Sequence, residues 1–591
     1  MTENGIGARV ARKEDRRFLT GAGNYTDDIN RFGQTYAYFL RSPHAHARIN
    51  RVDTAAARAS PGVLAVLTGA DIADAGLGGL ICGWMIHSKD GTPMNAPPHA
   101  ALAADKVRYV GDHVAMVVAE TYAQARDAAE AVAVDYEELR AVIALTEAEN
   151  ADAAQIHDSV PGNLCYDWEL GDKAATDGAF AAAAHVTSLD LVQNRLIPNA
   201  IEPRAAIGEY DRASDSFTLT TTSQNPHVTR LVMSAFVQIA PENKLRVVAP
   251  DVGGGFGSKI YIYAEETVAL WASKQVGRPV KWCAERAESF LADAHARDHA
   301  THAELALDKD GKFLGLRVTT KANMGAYLST FASAIPTYLY GTLLAGQYTT
   351  PAIYCDVQAV FTNTAPVDAY RGAGRPEAAY VIERLVDAAA REMDIDPAEL
   401  RRRNMIAAGD FPHRTVTGHT YDSGDYARTL DAGLAGADRA GFEARREAAA
   451  ARGRLRGFGM AYYVERCGVG GSETARIRFD ATGALTLLVG TQSNGQGHET
   501  AYAQIASALL SVPLESIRVV QGDTDAIGYG RGTGGSRSLQ ICGPAIQIAA
   551  AKVVAKARRI AGHMLEAAEA DITFTDGRFT VRGTDRAVTL G

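Results

Sequence analysis

Apolar residues along this chain occur in short alternating runs, and most of these runs end at glycine-rich turns. Alternation predicts strands at 217–222, 245–249, 354–361, 484–489 and 517–520. A helical pattern follows most of the turns. The repeated unit is therefore a strand, a glycine-rich turn and a helix, which is typical of a mixed α/β (α+β) protein.

A helix with one buried face is predicted after Pro376. Pro376 itself suits the first turn of a helix. The residue before a proline avoids helical geometry, so Asp396-Pro397 is predicted to end this helix. The apolar residues at helical spacing are Val381, Ile382, Leu385, Val386, Ala389 and Met393.

The N-terminal part has its own pattern. Residues 107–110 and 113–118 are predicted strands, and Gly111-Asp112 between them is a hairpin signal. Thr121 and Gln124 form a capping-box pattern before an alanine-rich helix, and a strand is predicted at 132–136. We predict three domains, at residues 1–145, 146–410 and 411–591.

The loop at 367–377 is the strongest candidate for a binding site. It combines glycines, two arginines and a helix start, which together favour an anion. An ordinary loop-to-helix joint is equally compatible with this stretch alone. Three other groups of glycine-rich or amide-rich loops, at 223–225, 253–259 and 495–499 with 534–538, have a similar character. Backbone amides and Gln, Ser and Thr side chains suit a large polyanionic ligand.

Bulk composition excludes several classes of protein. The net charge is -9, which leaves no basic footprint for nucleic acid. No run of 18 apolar residues predicts a membrane span, and no signal-peptide pattern opens the chain, so a cytoplasmic location is expected. The 6 cysteines form no Cys-x-x-Cys pair, so no zinc or iron–sulfur ligand set is predicted in this chain.

Common nucleotide and metal motifs are also missing. The glycines at 253–257 lack the dinucleotide-binding spacing, and no phosphate-binding P-loop or nucleophile elbow occurs. A nucleotide-dependent dehydrogenase is therefore a remote alternative. His295, His299 and His302 would share a helix face, but a strand pattern follows them. Solvated or paired histidines are favoured over a metal site.

A series of motifs along almost the whole chain resembles a known family. They are Arg-Lys-Glu-Asp-Arg-Arg-Phe-Leu-Thr-Gly at 12–21, Leu-Arg-Ser-Pro-His-Ala-His-Ala-Arg-Ile at 40–49, Val-Arg-Tyr-Val-Gly at 107–111, Gly-Gly-Gly-Phe-Gly at 253–257, Ala-Tyr-Arg-Gly-Ala-Gly-Arg at 369–375, Gly-Gln-Gly-His-Glu-Thr at 495–500 and Gly-Ser-Arg-Ser at 535–538. In this order they resemble the molybdopterin-binding large subunits of the xanthine dehydrogenase, aldehyde oxidase and carbon monoxide dehydrogenase family.

The resemblance implies a fold, a cofactor and partners. It implies an α/β hammerhead domain followed by two related molybdopterin-binding domains, the last one incomplete at its C-terminal end. It implies molybdopterin cytosine dinucleotide, whose dithiolene holds the molybdenum without a side-chain ligand. The implied reaction hydroxylates an electron-poor carbon with water as the oxygen source. Electrons would pass to partner subunits that carry 2Fe-2S and FAD.

The same resemblance assigns site residues. Gln224 and Arg371 are implied in catalysis, Gln224 lying near the oxo group of the metal. The residues implied in cofactor binding are Gln224, Gly255, Phe256, Gly257, Arg371, Gly372, Ala373, Gly374, Gln496, Gly497, His498, Thr500, Gln504, Gly535, Ser536 and Ser538.

Departures from the family pattern narrow the implied activity. Gly372 occupies the position of a copper-binding cysteine, so a copper site is not expected. Ile260 follows Lys259 where purine-oxidising members carry a glutamate, and Ala373 replaces a stacking phenylalanine. An aldehyde or another N-heterocycle is therefore preferred as the substrate.

The glutamate that acts as the family's catalytic base is expected beyond this sequence. Glu377 and Glu499 lie near the relevant loops, but a carboxylate role at a helix start is favoured for both. Two alternatives stay open. Either a separate chain supplies the C-terminal part, or the protein is a non-catalytic cofactor-binding fragment.

Overall fold

The computed structural model describes residues 5–468 and 470–590. Helices and strands fall into three successive runs along the chain. The first run comprises strands β1 Thr35–Arg41, β2 Ala47–Asp53, β3 Val63–Thr68, β4 Lys106–Val107, β5 His113–Ala119 and β6 Ala133–Glu138, with helices α1 Asp15–Leu19, α2 Ala55–Ala59, α3 Gly69–Asp74 and α4 Tyr122–Glu130.

The second run is the longest. Its strands are β7 Leu164–Gly171, β8 His185–Gln193, β9 Ala205–Asp211, β10 Ser216–Thr221, β11 Leu245–Val248, β12 Val280–Cys283, β13 His299–Leu307, β14 Phe313–Asn323 and β15 Ile353–Val360. Its helices are α5 Lys173–Ala181, α6 Pro226–Ala235, α7 Ala264–Val276, α8 Arg286–Ala292, α9 Tyr338–Gly341, α10 Arg375–Glu392 and α11 Pro397–Asn404.

The third run completes the described chain. Its strands are β16 His413–Arg414, β17 Thr420–Tyr421, β18 Ala475–Phe479, β19 Leu485–Val489, β20 Ile517–Val520, β21 Ile572–Thr575, β22 Arg578–Val581 and β23 Ala587–Thr589. Its helices are α12 Tyr426–Gly436, α13 Phe442–Ala450, α14 His498–Leu510 and α15 Ser538–Met564.

Two large sheets organise the first two runs. A seven-stranded sheet has the order β11-β10-β9-β12-β1-β5-β3, in which β1 pairs parallel to β12. A five-stranded sheet has the order β7-β15-β14-β13-β8. Three strands of the first run therefore continue a sheet of the second run, and the N-terminal part is packed directly against the rest of the molecule.

Each large sheet is covered by a helix, and the apolar residues of one of these helices, α10, were predicted from the sequence. Helix α10 buries Val381, Leu385 and Ala389 in the core of the five-stranded sheet, as its spacing predicted. Helix α7 packs on the seven-stranded sheet through residues that include Val268. A third core joins the β18-β19-β20 sheet to α14 and α15.

Helix α15 is long and apolar, although it contains no run of 18 uninterrupted apolar residues. Among the described residues it is the one helix long and apolar enough to cross a membrane by length and composition alone. Cys542, Ile546 and Ala550 on this helix are buried in the core with α14. A helix of a packed domain passes the same test, so this feature is weak support for a membrane span.

Two local predictions were wrong. Residues 106–107 pair with β2, whereas β5 pairs with β1 and β3, so Gly111-Asp112 does not close a hairpin. The Asp112 carboxylate instead accepts hydrogen bonds from the backbone N–H groups of Arg108 (2.9 Å) and His113 (3.0 Å), which turns the chain between two sheets. The helix that was predicted to end at Asp396-Pro397 ends earlier, because α10 stops at Glu392 and Asp396 instead caps the start of α11.

Other local predictions are confirmed. The Thr121 hydroxyl accepts a hydrogen bond from the Gln124 backbone at the start of α4. The three histidines do not share a helix face, because β13 begins at His299. In that strand His299 is buried and His302 is exposed, where it pairs with Asp190 at 2.8 Å.

Candidate functional site

The glycine-rich loops of the second and third runs line one cavity of about 1340 Å³. All four groups of loops predicted to face one ligand contribute to its wall. Its lining includes Gln224, Gly253–Gly257, Ala369–Ala373, Arg375, Asn494–Gln496 and Thr533–Ser536, together with Arg12, Asp15, Phe18, Tyr25, Tyr463 and Glu465. Because most of these loops follow strands or precede helices, the sheets and helices hold them in place.

Gln224 forms hydrogen bonds with cavity loops from both the second and the third run of the chain. It lies just after β10, and its backbone N–H donates to the carbonyl of Lys259 at 2.8 Å. Its side-chain oxygen accepts from the backbone N–H of Gly257 at 3.0 Å, and its side-chain nitrogen donates to the carbonyl of Thr533 at 2.9 Å. The amide is therefore held by loops from both the second and the third run.

The Gly-Gly-Gly-Phe-Gly loop approaches its neighbours too closely for side chains. A Cβ on Gly255 would lie 2.3 Å from the Gln224 side-chain oxygen, and one on Gly257 would lie 2.2 Å from the carbonyl of Ala369. Phe256 between them has a φ of 55°, and its side chain is 44% exposed. This loop presents backbone and one aromatic ring to the cavity.

The loop at 369–374 packs against the previous one. The backbone N–H of Arg371 donates to the carbonyl of Phe256 at 2.8 Å. Gly372, Ala373 and Gly374 have φ angles of 100°, 48° and 85°, so three successive residues have left-handed backbone. The Arg371 side chain is exposed and makes no hydrogen bond or ion pair with any residue the structure describes. Its positive charge is therefore available to bind a ligand.

Unpaired hydrogen-bonding groups mark where a ligand would bind. Within the described chain, the backbone N–H groups of residues 254–256 and 534–536 have no protein acceptor. The side-chain oxygen of Asn494 is buried without a partner. Buried polar groups normally find partners, so these positions fit a ligand rich in acceptors and donors, such as a pterin with phosphates.

The carboxylates near the cavity have distinct surroundings. Glu377 is fully buried and pairs with Arg297 at 2.9 Å, and burial raises the pKa of its carboxyl group. Glu499 pairs with Arg17 at 2.6 Å. Neither lines the cavity, and each lies in the first turn of a helix, Glu377 in α10 and Glu499 in α14, which is the position favoured from the sequence. Among the described residues, Asp15 and Glu465 are the carboxylates in the cavity wall.

Glu465 connects two loops of the wall. It lies 3.3 Å from the Arg375 guanidinium and accepts a hydrogen bond from the Ser536 hydroxyl at 3.3 Å. Burial raises the pKa of the Glu465 carboxyl group above its ordinary value. Sequence reasoning missed this residue, because it belongs to none of the glycine-rich motifs.

Some predicted cofactor contacts lie behind the wall. Gly374 and Gly497 are the residues before α10 and α14 and have φ angles of 85°. His498 is buried, with Nδ1 3.3 Å from the side-chain oxygen of Gln521, and burial lowers its pKa to about 4. These three residues shape the loops without lining the cavity.

Three further predicted contacts are bound to other protein groups. The Thr500 hydroxyl donates to Glu14 at 2.5 Å, and Gln504 donates to the carbonyl of Ala8 at 3.0 Å. The Ser538 hydroxyl lies 2.7 Å from that of Thr533. Their role in cofactor binding stays a prediction.

The N-terminal segment is the part of the wall that sequence reasoning missed most completely. Arg12, Asp15, Phe18 and Tyr25 all line the cavity. The motif at 12–21 contributed to the family resemblance, but no periodicity or turn signal connects it with loops more than 200 residues away.

Three family models match the chain. The aldehyde oxidase and xanthine dehydrogenase a/b hammerhead domain matches residues 20–140, and the molybdopterin cofactor-binding domain matches 156–405 and 435–591 through two models. The three matches follow one another in the order that the resemblance implied.

Individual proteins are similar over nearly the whole chain. The carbon monoxide dehydrogenase large chain of Hydrogenophaga pseudoflava is 40% identical over 98% of this chain and 74% of that protein. The nicotine 6-hydroxylase large subunit of Paenarthrobacter nicotinovorans is 34% identical over 99% of this chain and 73% of that protein. The crystal structure of quinoline 2-oxidoreductase from Pseudomonas putida 86 superposes with a TM-score of 0.91 at 35% identity, covering 99% of this chain and 75% of that one.

Proposed function

We propose a reaction for this chain, which belongs to the molybdopterin-binding large subunits of the xanthine dehydrogenase family. It hydroxylates an electron-poor carbon of an N-heterocycle or an aldehyde, with water as the oxygen donor. The observation that carries this proposal is the single cavity in which all the predicted loops meet. Relatives at 34–40% identity are large subunits of a dehydrogenase and a hydroxylase, and a solved structure at 35% identity is that of a Cu,Mo-CO dehydrogenase. The shared fold supports the same class of chemistry here.

The cavity fits the molybdopterin cofactor. The unpaired backbone N–H groups at 254–256 and 534–536 would donate to its pterin and phosphate acceptors, and Gln496 lines the same wall. We propose the cytosine dinucleotide form. When bound, this cofactor supplies an oxygen atom derived from water and accepts two electrons. Gln224 and the loop at 255–257 would position it, since they hold each other by direct hydrogen bonds.

Arg371 would act on the substrate side of the cavity. Its guanidinium has no protein partner among the described residues and can stabilise negative charge that develops during the reaction. Two electrons would then leave through partner subunits that carry 2Fe-2S and FAD. The 6 dispersed cysteines of this chain support that division of labour.

The side chains around the cavity favour a flat aromatic substrate. Phe18, Tyr25, Phe256, Tyr370 and Tyr463 all line it. Aromatic rings stack favourably on one another, which suits an N-heterocycle better than a small aliphatic aldehyde. Two similar proteins, one named for nicotine and the other for quinoline, are consistent with this preference.

Oxidation of carbon monoxide is not the activity that we propose. Position 372 is glycine, so no thiol is available there for copper. A Cβ on Gly372 would lie 2.2 Å from Cγ of Pro376, which leaves no room for a cysteine without movement of the loop.

The test is to purify the protein with its co-purifying subunits and to measure molybdenum and released cytidine monophosphate. Dye reduction is then assayed with quinoline, nicotine and acetaldehyde. We expect molybdenum in stoichiometric amount and faster turnover of the heterocycles. A folded complex without molybdenum would refute the proposal.

A non-catalytic role in binding the cofactor is the second candidate. It is favoured by one observation, namely that Glu377 and Glu499 are both held by arginines. Stoichiometric molybdenum without turnover of any of the three substrates, with a separate C-terminal chain supplied where one is encoded, would select this candidate.

A further inference from the structure

The segment at 12–25 lies across the cavity wall, and the proposed function uses only two of its side chains, the rings of Phe18 and Tyr25. It reaches two loops that belong to different runs of the chain. One is the loop at 251–257, which follows β11, and the other is the loop at 495–500, which leads into α14. Both loops line the cavity.

Arg17 is bonded to both loops at once. On one side, its Nη2 lies 2.7 Å from Oδ1 of Asp251, and its Nε lies 3.3 Å from Oδ2 of the same residue. On the other side, Nη2 lies 2.6 Å from Oε1 of Glu499, and Nη1 lies 3.0 Å from Oε2. One guanidinium thus binds two carboxylates, each through both oxygens, which a planar fork of donors allows and an ammonium does not.

Neighbouring residues strengthen the same connection. Glu14 accepts hydrogen bonds from the hydroxyl (2.5 Å) and the backbone N–H (3.3 Å) of Thr500. Arg12 donates to the carbonyl of Gly495 at 3.0 Å. On the other side, the backbone N–H of Asn24 donates to Asp251 at 2.9 Å. Each loop therefore has several contacts to this one segment.

The ion pairs of Arg17 with Asp251 and Glu499 are partly buried and not simply exposed at the surface. The side chains of Arg17, Asp251 and Glu499 are 31%, 16% and 22% exposed. A single exposed ion pair contributes little to stability, but here two carboxylates that would otherwise repel each other share one partially buried cation. Removing that cation leaves both carboxylates without their counter-charge.

We propose that Arg17 is a positioning residue that sets the distance between the loops at 251–257 and 495–500, and thereby the width of the cofactor cavity. Glu14 and Arg12 assist by holding the second loop. The inference rests on the proposed function only in that the cavity holds molybdopterin. The connection between the loops is a property of this chain alone.

The test compares Arg17→Ala and Arg17→Lys with a matched control. Arg246→Ala is that control, because Arg246 also joins the second and third runs through a two-bond ion pair, with Asp523 at 3.0 and 2.6 Å, but does not line the cavity. Hydrogen exchange is measured for peptides that cover 251–257 and 495–500, together with thermal stability and molybdenum content.

We expect both Arg17 variants to exchange about tenfold faster in both loops, since local opening governs exchange. Molybdenum retention should fall several-fold in both. Arg246→Ala should leave exchange in the two loops and the metal content unchanged. A merely structural role would lower thermal stability without this selective effect, and wild-type exchange in both loops with full metal content would overturn the proposal.

Two further measurements keep the outcomes separable. If Arg17→Ala does not fold, Glu499→Gln weakens one side of the fork, and only the loop at 495–500 should loosen. Unchanged exchange in that loop would then count against the proposal. If the wild type contains no molybdenum but the loops loosen as expected, the proposed function fails and the positioning role stands. If the wild type contains molybdenum and the loops do not respond, only the positioning role fails.

Discussion

Gln224 and Thr533 are bonded to each other twice, although 309 residues separate them. The Gln224 side chain donates to the carbonyl of Thr533 at 2.9 Å, and the backbone N–H of Thr533 donates to the carbonyl of Gln224 at 2.9 Å. These bonds close the wall of the cavity between the two molybdopterin-binding regions. Any group bound there contacts a surface that neither region forms alone.

Replacing Gln224 by glutamate should impair the cavity while the fold persists. A carboxylate cannot donate to the carbonyl of Thr533, and an unpaired buried acceptor is costly. We expect kcat/KM and molybdenum retention to fall at least about tenfold, which corresponds to ~1.4 kcal/mol. Steady-state kinetics and metal analysis measure the two effects.

The control for this change is Gln347→Glu. Gln347 is also a buried amide and donates to Glu383 at 3.0 Å, outside the cavity. The Gln347→Glu substitution should lower thermal stability without selective loss of metal from the folded protein. Equal metal loss in both variants would show that the effect of Gln224 is general destabilisation.

Replacing Arg371 by alanine should harm turnover more than folding. Its side chain is exposed and has no protein partner in the described part of the chain, so stability depends little on it. Loss of a cation beside the reacting group should lower kcat/KM by at least about tenfold. Arg212→Ala, at an exposed position in the turn after β9, should change neither kcat/KM nor thermal stability. Full activity of Arg371→Ala would remove this loop from the reaction.

Replacing Gly372 by cysteine should destabilise the protein without creating oxidation of carbon monoxide. The left-handed φ of 100° and the 2.2 Å approach of a Cβ to Pro376 both oppose a side chain. The expected cost is roughly 1–3 kcal/mol. Thermal melting measures it, with Gly409→Ala as the control, because no heavy atom lies within 4 Å of a Cβ there. Oxidation of carbon monoxide by this variant after addition of copper would contradict the steric argument that the loop has no room for a cysteine.

Acid should destabilise the fold through His299. Burial lowers its pKa to about 3, with Arg297 as a lesser cause. Between the ordinary pKa and this value the unfolded chain binds a proton that the folded chain does not, so stability falls as pH falls. From pH 7 to pH 5 this one group costs about 2 kcal/mol.

The pH dependence can be measured by thermal melting of His299→Gln and His302→Gln. His299→Gln should show a smaller loss of stability between pH 7 and pH 5 than the wild type. His302, which lies three residues along the same strand and is exposed, should leave the loss unchanged when replaced. An unaltered pH profile in His299→Gln would refute the assignment.

Much of the fold could be predicted from periodicity. The strands before the glycine-rich loops and the buried face of α10 are confirmed, because alternation and helical spacing report directly which side of an element is buried. The hairpin at Gly111-Asp112 was wrong, because a turn signal does not specify which sheet each flanking strand joins. Strand pairing depends on partners that are distant in sequence.

The amino-acid sequence alone determined the local elements, the glycine-rich loops and, through its motifs, the family. Only the tertiary structure placed Glu465 in the cavity wall, bonded Gln224 to Thr533 and brought Arg17 between Asp251 and Glu499. Spacing along a chain encodes which face of a helix or strand is buried, and residue type encodes turns. Contacts across hundreds of residues arise only when those faces pack, so they are decided by the folded arrangement as a whole.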